Sequence, residues 1–236
     1  MHPLIQEIQT AQTPESLVEL LRGEPGVALL RSSSYDPAQA RYSFVGANPF
    51  LIFKSYGSRC EISFPQAAEA RHQTQFGNPW HLLDALMARF ELLDEIDLPF
   101  PLGGAFGYWG YDLKNFTEPK LPRRAVNDLE LPDCLVGFYD SLVVFDHQLG
   151  KVNVVSTGLN ADGSRSEQWA GERMAFWKEL FSRSEAKAQS DFSPCTSVPL
   201  CGIESNLSPE EFVSKVFLVF QLKGKKTLFS SFFLLL

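Results

Sequence analysis

GGAFGYWGYD, residues 103–112, is the most telling segment of this 236-residue sequence. Its glycines alternate with large aromatic rings, and it ends in an acid, Asp112. Glycine is favoured where the backbone needs a positive φ or where another chain segment must come very close. Alternation of small and large residues suits a pleated strand that is packed closely on one side. The segment therefore predicts a strand with a close backbone approach.

The glycines Gly104, Gly107 and Gly110 superficially resemble a dinucleotide-binding loop. Their spacing is not GxGxxG, and no crossover helix with an acid about twenty residues further on follows cleanly. The sequence also contains no P-loop and no GxSxG nucleophile elbow. Close packing is therefore favoured over phosphate binding for these glycines.

The overall composition is that of an ordinary globular protein, with 44% hydrophobic and 21% charged residues. A formal net charge of −7 argues against a nucleic-acid binder, which usually carries a basic face. The N-terminus lacks the regions of a signal peptide, and no apolar run reaches the ~18 residues that span a bilayer. These features predict a cytoplasmic protein with neither a membrane nor a nucleic-acid partner.

Metal-ligating residues are scattered along the chain. The four cysteines form no CxxC pair, and the four histidines form no HExxH or similar ligand pair. We therefore expect reduced thiols and no metal site. The cysteines are Cys60, Cys134, Cys195 and Cys201.

Hydrophobic periodicity predicts helices and strands that alternate irregularly along the chain. Helices are expected over residues 14–22, 79–90 and 166–182, and strands over 27–30, 42–47, 50–56, 59–64, the glycine segment, 135–145 and 151–156. Gly57-Ser58 and residues 146–150 are expected to be hairpin turns. The fold class predicted from this pattern is α+β, with antiparallel sheets and flanking helices.

Few residues form a pattern that could carry chemistry. Asp146-His147 is capable of acid–base work, but at a hairpin turn such a pair more often makes local turn contacts. Ser32-Ser33-Ser34 has no neighbouring His or Asp to mark a nucleophile. From its residues alone, the chain has no self-contained catalytic constellation.

The last fifty residues differ in character from the rest. Residues 184–204 are rich in Ser, Ala and Pro and predict a linker, so residues 1–183 form the first domain. Ser208, Pro209 and Glu211 have the spacing of a capping box at the start of a new helix, within residues 205–216. Residues 217–236 then form an apolar tail, and its β-prone, uncharged end from Leu228 to Leu236 is an aggregation hazard.

The glycine segment resembles part of a known enzyme family when it is combined with RYSFVGANP at 41–49, LPD at 131–133 and LVVFDH at 142–147. Over roughly residues 14–216, the chain is similar to the N-terminal domain of component I of anthranilate synthase and of para-aminobenzoate (aminodeoxychorismate) synthase. Residues 136–140 and 155–158 look more like the para-aminobenzoate branch, which serves folate biosynthesis; the anthranilate branch, which serves tryptophan biosynthesis, is the alternative. The family markers in the glycine segment are Gly103, Gly104, Gly107, Tyr108, Gly110, Tyr111 and Asp112.

This resemblance implies a domain that does not itself carry the chemistry. In the family it packs against a C-terminal chorismate-binding domain, which holds Mg²⁺ and activates chorismate for attack by ammonia. A separate glutamine amidotransferase subunit supplies the ammonia. For this chain the resemblance implies no catalytic residue and no cofactor, and chorismate binding only together with the missing domain.

The resemblance also implies a tryptophan pocket. Its signature, Leu-Leu-x-Ser, corresponds to residues 29–32, and Arg41 falls where the family has a basic pocket residue. The pocket candidates are Leu30, Arg31, Ser32, Arg41 and Tyr42. Feedback-regulated members usually have Glu at the position of Arg31, which argues against tryptophan inhibition here. The alternative interpretation of Ser32 and Arg41 is that they are ordinary polar residues at strand ends, which hydrogen-bond to nearby backbone groups.

The resemblance stops after Val216, where the family would continue into the chorismate domain. We therefore expect a truncated synthase component that is inactive alone. A stand-alone module that binds tryptophan or a partner subunit, and a non-functional fragment, are the alternatives.

Overall fold

The computed structural model of the chain describes residues 2–31, 40–66, 71–92, 97–121 and 130–190, with side chains as far as 183. The predictions for Ser32, for the capping box at 208–211 and for the apolar tail lie outside these residues. Within them the chain forms ten strands and four α-helices. In chain order they are β1 Leu4–Ile8, α1 Pro14–Leu20, β2 Ala28–Leu30, β3 Tyr42–Gly46, β4 Leu51–Tyr56, β5 Arg59–Phe64, β6 Arg71–Phe76, α2 Pro79–Arg89, β7 Gly104–Trp109, α3 Lys114–Thr117, β8 Cys134–Tyr139, β9 Ser141–Asp146, β10 Lys151–Ser156 and α4 Glu167–Ser190.

The strands form two five-stranded sheets in which every pair of neighbours is antiparallel. The first sheet has the order β1-β10-β9-β3-β2, and the second has the order β6-β5-β4-β8-β7. Both predicted hairpins, β4–β5 and β9–β10, are present. The predicted fold class, α+β with antiparallel sheets and flanking helices, is confirmed.

An apolar core lies between the two sheets, because alternate residues of each strand face inward. Leu142 and Val144 of β9 contribute from the first sheet, and Phe106, Leu135 and Tyr139 contribute from the second. All five side chains are at most 2% exposed. The sheets therefore pack face to face as a sandwich.

Helices cover the outer face of each sheet. Leu17 of α1 and Trp177 of α4 pack against Val143 and Phe145 of the first sheet. On the second sheet, Leu83 and Leu86 of α2 pack against the strand residues of another core cluster. The layers therefore run helix, sheet, sheet, helix.

Capping residues fix where the first two longer helices begin. Thr13 accepts a hydrogen bond from the Ser16 amide at 3.2 Å, and the Ser16 hydroxyl accepts one from the Thr13 amide at 2.8 Å. Asn78 caps α2 through the Trp80 amide at 3.0 Å. Proline occupies the first turn of both helices, where its missing N–H costs nothing.

The glycine segment forms β7, and its close approach is to the neighbouring strand β8. A Cβ at Gly107 would overlap the carbonyl oxygen of Leu135 and lie 2.7 Å from the Cα of Val136. A Cβ at Gly103 would lie 2.6 Å from the carbonyl oxygen of Tyr139, and one at Gly110 would lie 2.7 Å from that of Asp133. Three glycines of the segment therefore lie against β8 and the residue just before it.

The structure differs from the sequence prediction at two edge strands, at one helix boundary and at residues 135–145. Those residues were expected to be one strand, but they belong to two, β8 and β9, which Asp140 separates and which lie in different sheets. β1 (LIQEI) and β6 (RHQTQF) are edge strands with mostly exposed side chains, so their sequences lack the apolar alternation by which a strand is recognised. Helix α4 continues to Ser190, so the predicted linker does not begin at residue 184. Residues 184–190 read SEAKAQS, and the Glu, Ala, Lys and Gln among them favour helix.

The chain crosses from one sheet to the other at two corners, and Arg173 of α4 contacts both. Its Nη2 donates to the carbonyl oxygens of Ala47, at 3.1 Å, and Asn48, at 2.9 Å, in the corner between β3 and β4. Its Nε lies 3.4 Å from a carboxylate oxygen of Asp140, the one residue between β8 and β9. Asp140 is 1% exposed and Arg173 is 7% exposed. Burial raises the pKa of Asp140 and lowers the pKa of Arg173.

Candidate functional site

Register brings the predicted pocket segments together at one end of the first sheet. Tyr42, which begins β3, pairs with Asp146, which ends β9. β2 lies on the other side of β3 and ends at Leu30, next to Arg31. We call the polar residues gathered here the strand-end cluster. It comprises Arg31, Arg41, Tyr42, Ser43, Asp146 and His147.

A charged hydrogen-bonded pair forms the centre of this cluster. Arg41 Nη2 donates to Asp146 Oδ2 at 2.7 Å, and Arg41 Nε lies 3.2 and 3.1 Å from Oδ1 and Oδ2. Asp146 Oδ1 also accepts from the amides of Gln148, at 3.0 Å, and Leu149, at 3.1 Å. The hydrogen bond from Arg41 holds the pKa of Asp146 below its ordinary value. Asp146 thus makes the turn contacts that were expected of it.

Tyr42 packs beside this pair. The Arg41 guanidinium lies 4.8 Å from the Tyr42 ring centroid, and the Phe100 ring meets the Tyr42 ring edge-on at 5.9 Å. The Tyr42 hydroxyl is buried and makes no hydrogen bond of good geometry within the described residues. Burial, and after it the nearby Asp146 carboxylate, raise the pKa of Tyr42. Tyr42 is therefore a neutral group beside a charged pair.

Sequence reasoning missed a serine–histidine contact in the cluster. Ser43 Oγ lies 2.6 Å from His147 Nε2, although the two residues are 104 positions apart in the chain. Burial, followed by the charge of Arg31, lowers the pKa of His147. Ser43 is 1% exposed, so a substrate cannot reach its hydroxyl. The distance is that between a nucleophile and its base, but the Ser43 hydroxyl is not accessible to a substrate as a nucleophile must be.

The remaining pocket candidates divide between the surface and the core. Arg31 pairs with Glu15 of α1, and both side chains are about half exposed, at 42% and 47%. Leu30 is 9% exposed and belongs to the core between the sheets. The structure thus brings Arg31, Arg41 and Tyr42 to one sheet end and places Leu30 beneath them.

The aromatic and acidic markers of the glycine segment make local contacts. The Tyr108 hydroxyl donates to the carbonyl oxygen of Pro132 at 2.8 Å. Tyr111 is 73% exposed, and Lys114 Nζ lies 3.7 Å from its ring centroid and 3.8 Å from Asp112 Oδ1. A Cβ at Gly104 would meet only the Phe106 ring, at 3.6 Å.

The thiols Cys60 and Cys134 are free and buried. Both pair in register with Ser55, one from each side of β4, so their Cα atoms are about 10 Å apart, too far for a disulfide. Burial raises the pKa of Cys60 to about 11, and that of Cys134 further. These two cysteines therefore cannot bridge each other, and the expectation of reduced thiols stays a prediction.

The residues that the structure describes contain neither a metal-binding cluster nor a membrane-spanning helix. No group of three or more His, Cys, Asp or Glu side chains there could hold a metal ion. Among the same residues, no helix has both the length and the apolar character to cross a membrane.

We expect Asp146→Asn to lower the free energy of unfolding by about 1–3 kcal/mol at neutral pH, because it removes the charged acceptor of Arg41. The lowered pKa of Asp146 makes the native state bind its proton less tightly than the unfolded chain does. The stabilisation is therefore present above the ordinary Asp pKa of about 3.9 and is lost as the pH falls below it. Urea denaturation at pH 7 and at successively lower pH measures the effect.

The wild-type protein and the variant should converge in stability under acid conditions. Asp112→Asn is the control, since Asp112 is 54% exposed and 3.8 Å from its only ion-pair partner in the described residues. That substitution should change stability by less than about 0.5 kcal/mol at any pH. A constant difference between Asp146→Asn and wild type across the pH range would contradict the prediction.

Comparison with known proteins finds a relative that aligns with most of this chain. The chain is 30% identical over 218 residues to anthranilate synthase component 1 of Acetivibrio thermocellus, which covers 91% of this chain and 43% of the relative. The chain is homologous to component 1 of anthranilate synthase. The resemblance drawn from the glycine segment and its companion motifs is confirmed by this match.

Other component I homologues match more narrowly. Aminodeoxychorismate synthase component 1 of Escherichia coli (strain K12) is 33% identical over 134 residues, or 56% of this chain and 28% of the relative. A crystal structure of anthranilate synthase component I from Streptococcus pneumoniae TIGR4 aligns at 24% identity with a TM-score of 0.45, over 69% of this chain and 32% of that one. No protein-family model matches the chain. The chain spans less than half the length of the curated relatives it matches.

Proposed function

We propose that this chain serves as the non-catalytic N-terminal part of component I of a chorismate-aminating synthase. The observation that carries the proposal is the alignment of 91% of the chain with 43% of an anthranilate synthase component 1. The described residues add two supporting facts. They contain no group suited to hold a metal ion, and their Ser43–His147 contact is closed to substrate.

The proposal covers both branches of the family. Relatives named aminodeoxychorismate synthase agree with the branch preferred from residues 136–140 and 155–158, and they have the higher identity, 33%. Anthranilate synthase relatives are at least as well supported, since one of them matches 91% of the chain. Amination of chorismate is the chemistry that both branches share.

The partners follow from the same proposal. A glutamine amidotransferase subunit would supply ammonia in the cytoplasm, and the name "component 1" of the relatives supports a multi-component enzyme. Chorismate and Mg²⁺ would be held by the catalytic part of the enzyme. The described residues offer the ion no site, because no group of three or more His, Cys, Asp or Glu side chains among them could hold a metal.

The chain alone is expected to produce neither aminodeoxychorismate nor anthranilate from chorismate, ammonia and Mg²⁺. Product formation followed by liquid chromatography measures this, with a full-length component I as the positive control. The same chain should retain the amidotransferase subunit in a pull-down. Turnover by the purified chain would contradict a non-catalytic role, and failure to retain the subunit would contradict the partnership.

Tryptophan binding at the strand-end cluster is a second candidate function, supported by the convergence of Arg31, Arg41 and Tyr42. Two features weaken the site for a tryptophan zwitterion. Asp146 already occupies the Arg41 guanidinium, and Glu15 already pairs with Arg31, so neither arginine is free to receive the tryptophan carboxylate. We propose that any binding is weak, and calorimetry with tryptophan tests this; no detectable heat would remove the second candidate.

A further inference from the structure

An open cleft of about 820 Å³ lies apart from the strand-end cluster and shares no lining residue with it. It is formed by the β5–β6 hairpin, the end of α2, residues 160–164 and the start of α4. Its volume is within the range of about 300–1,000 Å³ that is usual for small-molecule sites.

The charged groups of the cleft are more basic than those of the protein as a whole. Arg71 and Arg89 line it together with one acid, Asp162, so the formal charge of the lining is +1 with His72 counted as neutral. The whole chain carries −7. A positive cleft on an acidic protein raises the local concentration of small anions.

The two arginines have donors to spare. Arg71 forms no ion pair with the residues that the structure describes, and Arg89 makes one long hydrogen bond, 3.4 Å, to the carbonyl oxygen of Asp162. The Asp162 carboxylate is engaged separately, because it accepts from the Ser164 amide at 2.8 Å. Hydrogen bonding from Ser164, first by its side chain and then by its amide, holds the pKa of Asp162 below its ordinary value. The guanidinium groups are therefore available to an incoming anion.

Aromatic rings form the apolar part of the lining. Phe50, Phe64 and Trp169 all border the cleft, and Phe50 is only 2% exposed. Phe50 is held edge-on by Phe90 at 5.1 Å and by Phe138 at 6.2 Å, so this wall is fixed by the core. Phe50 itself presents almost no surface, so the ring surface open to a ligand belongs to Phe64 and Trp169, which are partly exposed. Aromatic surface backed by a fixed core favours a flat ligand, because stacking or edge contacts then need little rearrangement.

We propose that this cleft binds a small monocarboxylate whose charge is carried on a flat, largely apolar ring. The single net positive charge of the lining matches one negative charge, whereas a phosphate monoester would bring two. Arginine forks pair with a carboxylate through two parallel hydrogen bonds, and the aromatic wall takes the ring.

Titration calorimetry with benzoate on the full chain at low ionic strength tests the proposal. Benzoate should bind saturably at one site. Benzyl alcohol, which keeps the ring but lacks the charge, should bind at least about tenfold more weakly. The Arg71→Ala/Arg89→Ala variant should lose at least about tenfold in benzoate affinity, and it should fold because both side chains are exposed.

Arg59→Ala is the matched control. Arg59 lies on the same hairpin and is 51% exposed, but it pairs with Glu61 at 3.4 Å and does not line the cleft. Wild-type affinity for benzoate in this variant supports the proposal. A loss of affinity equal to that of the double variant would show that only the net charge of the protein matters, and it would overturn the proposal. Absence of saturable benzoate binding, or phenyl phosphate binding more than about tenfold tighter than benzoate, would also overturn it.

Discussion

Replacement of Arg173 by alanine is expected to lower the free energy of unfolding by about 3–5 kcal/mol, the usual cost of removing one partner from a buried ion pair. The side chain is 7% exposed and reaches both corners at which the chain changes sheet. Its loss would leave the Asp140 carboxylate, 1% exposed, without a counter-charge. Two carbonyl oxygens, those of Ala47 and Asn48, would lose their charged donor at the same time.

Urea denaturation of Arg173→Ala beside Arg183→Ala isolates this effect. Arg183 is on the same helix, is 74% exposed and pairs with Glu179 at 3.4 Å, so its removal should cost less than about 0.5 kcal/mol. Burial already raises the pKa of Asp140, so protonation of this carboxyl favours the folded state. The charge of Arg173 opposes that rise, so its removal raises the pKa of Asp140 further, and the deficit of Arg173→Ala should shrink as the pH falls towards the ordinary Asp pKa.

A second substitution separates the cost of the unpaired Asp140 charge from the cost of the lost Arg173 packing in the free energy of unfolding. Asp140→Asn added to Arg173→Ala removes the unpaired carboxylate, so the double variant should be more stable than Arg173→Ala alone. A loss below about 1 kcal/mol in the single variant, or a double variant that is less stable still, would show that the arginine does not hold the two corners together.

Local patterns gave the parts of the fold that depend on short stretches of sequence. The β4–β5 hairpin could be predicted because Gly57-Ser58 separates two apolar strands, and the β9–β10 hairpin because residues 146–150 separate two more. β1 and β6 could not, because an edge strand with exposed side chains carries little apolar signal. Pairing with a neighbour elsewhere in the chain decides such strands.

Sequence patterns could not predict contacts between residues that are far apart in the chain. Arg41 and Asp146 are 105 positions apart, and Ser43 and His147 are 104 apart, so no local spacing marks either contact. Arg173 lies within an amphipathic helix, where an arginine ordinarily faces solvent, and nothing nearby signals its burial. For Arg41, the family resemblance supplied the position but not the partner.

For the glycine segment, likewise, the sequence predicted a structural feature but not the strand that it contacts. Its composition predicted a close backbone approach, and the approach is present at Gly103, Gly107 and Gly110. Composition could not tell that all three positions face β8 or the residue just before it, Asp133, because the register of β7 against β8 is set by their whole length.

Gly107→Ala is expected to lower the free energy of unfolding by about 3 kcal/mol or more, at or above the upper end of what overpacking usually costs. The added Cβ would overlap the Leu135 carbonyl oxygen and crowd the Val136 Cα, and backbone atoms in a paired strand cannot rotate away as a side chain can. Gly171→Ala is the matched control. It adds the same methyl group inside α4 with nothing within 4 Å, and should stabilise the protein by about 0.5–1 kcal/mol. Thermal melts of the two variants should therefore shift in opposite directions, and a Gly107→Ala protein as stable as wild type would mean that β7 and β8 can separate without cost.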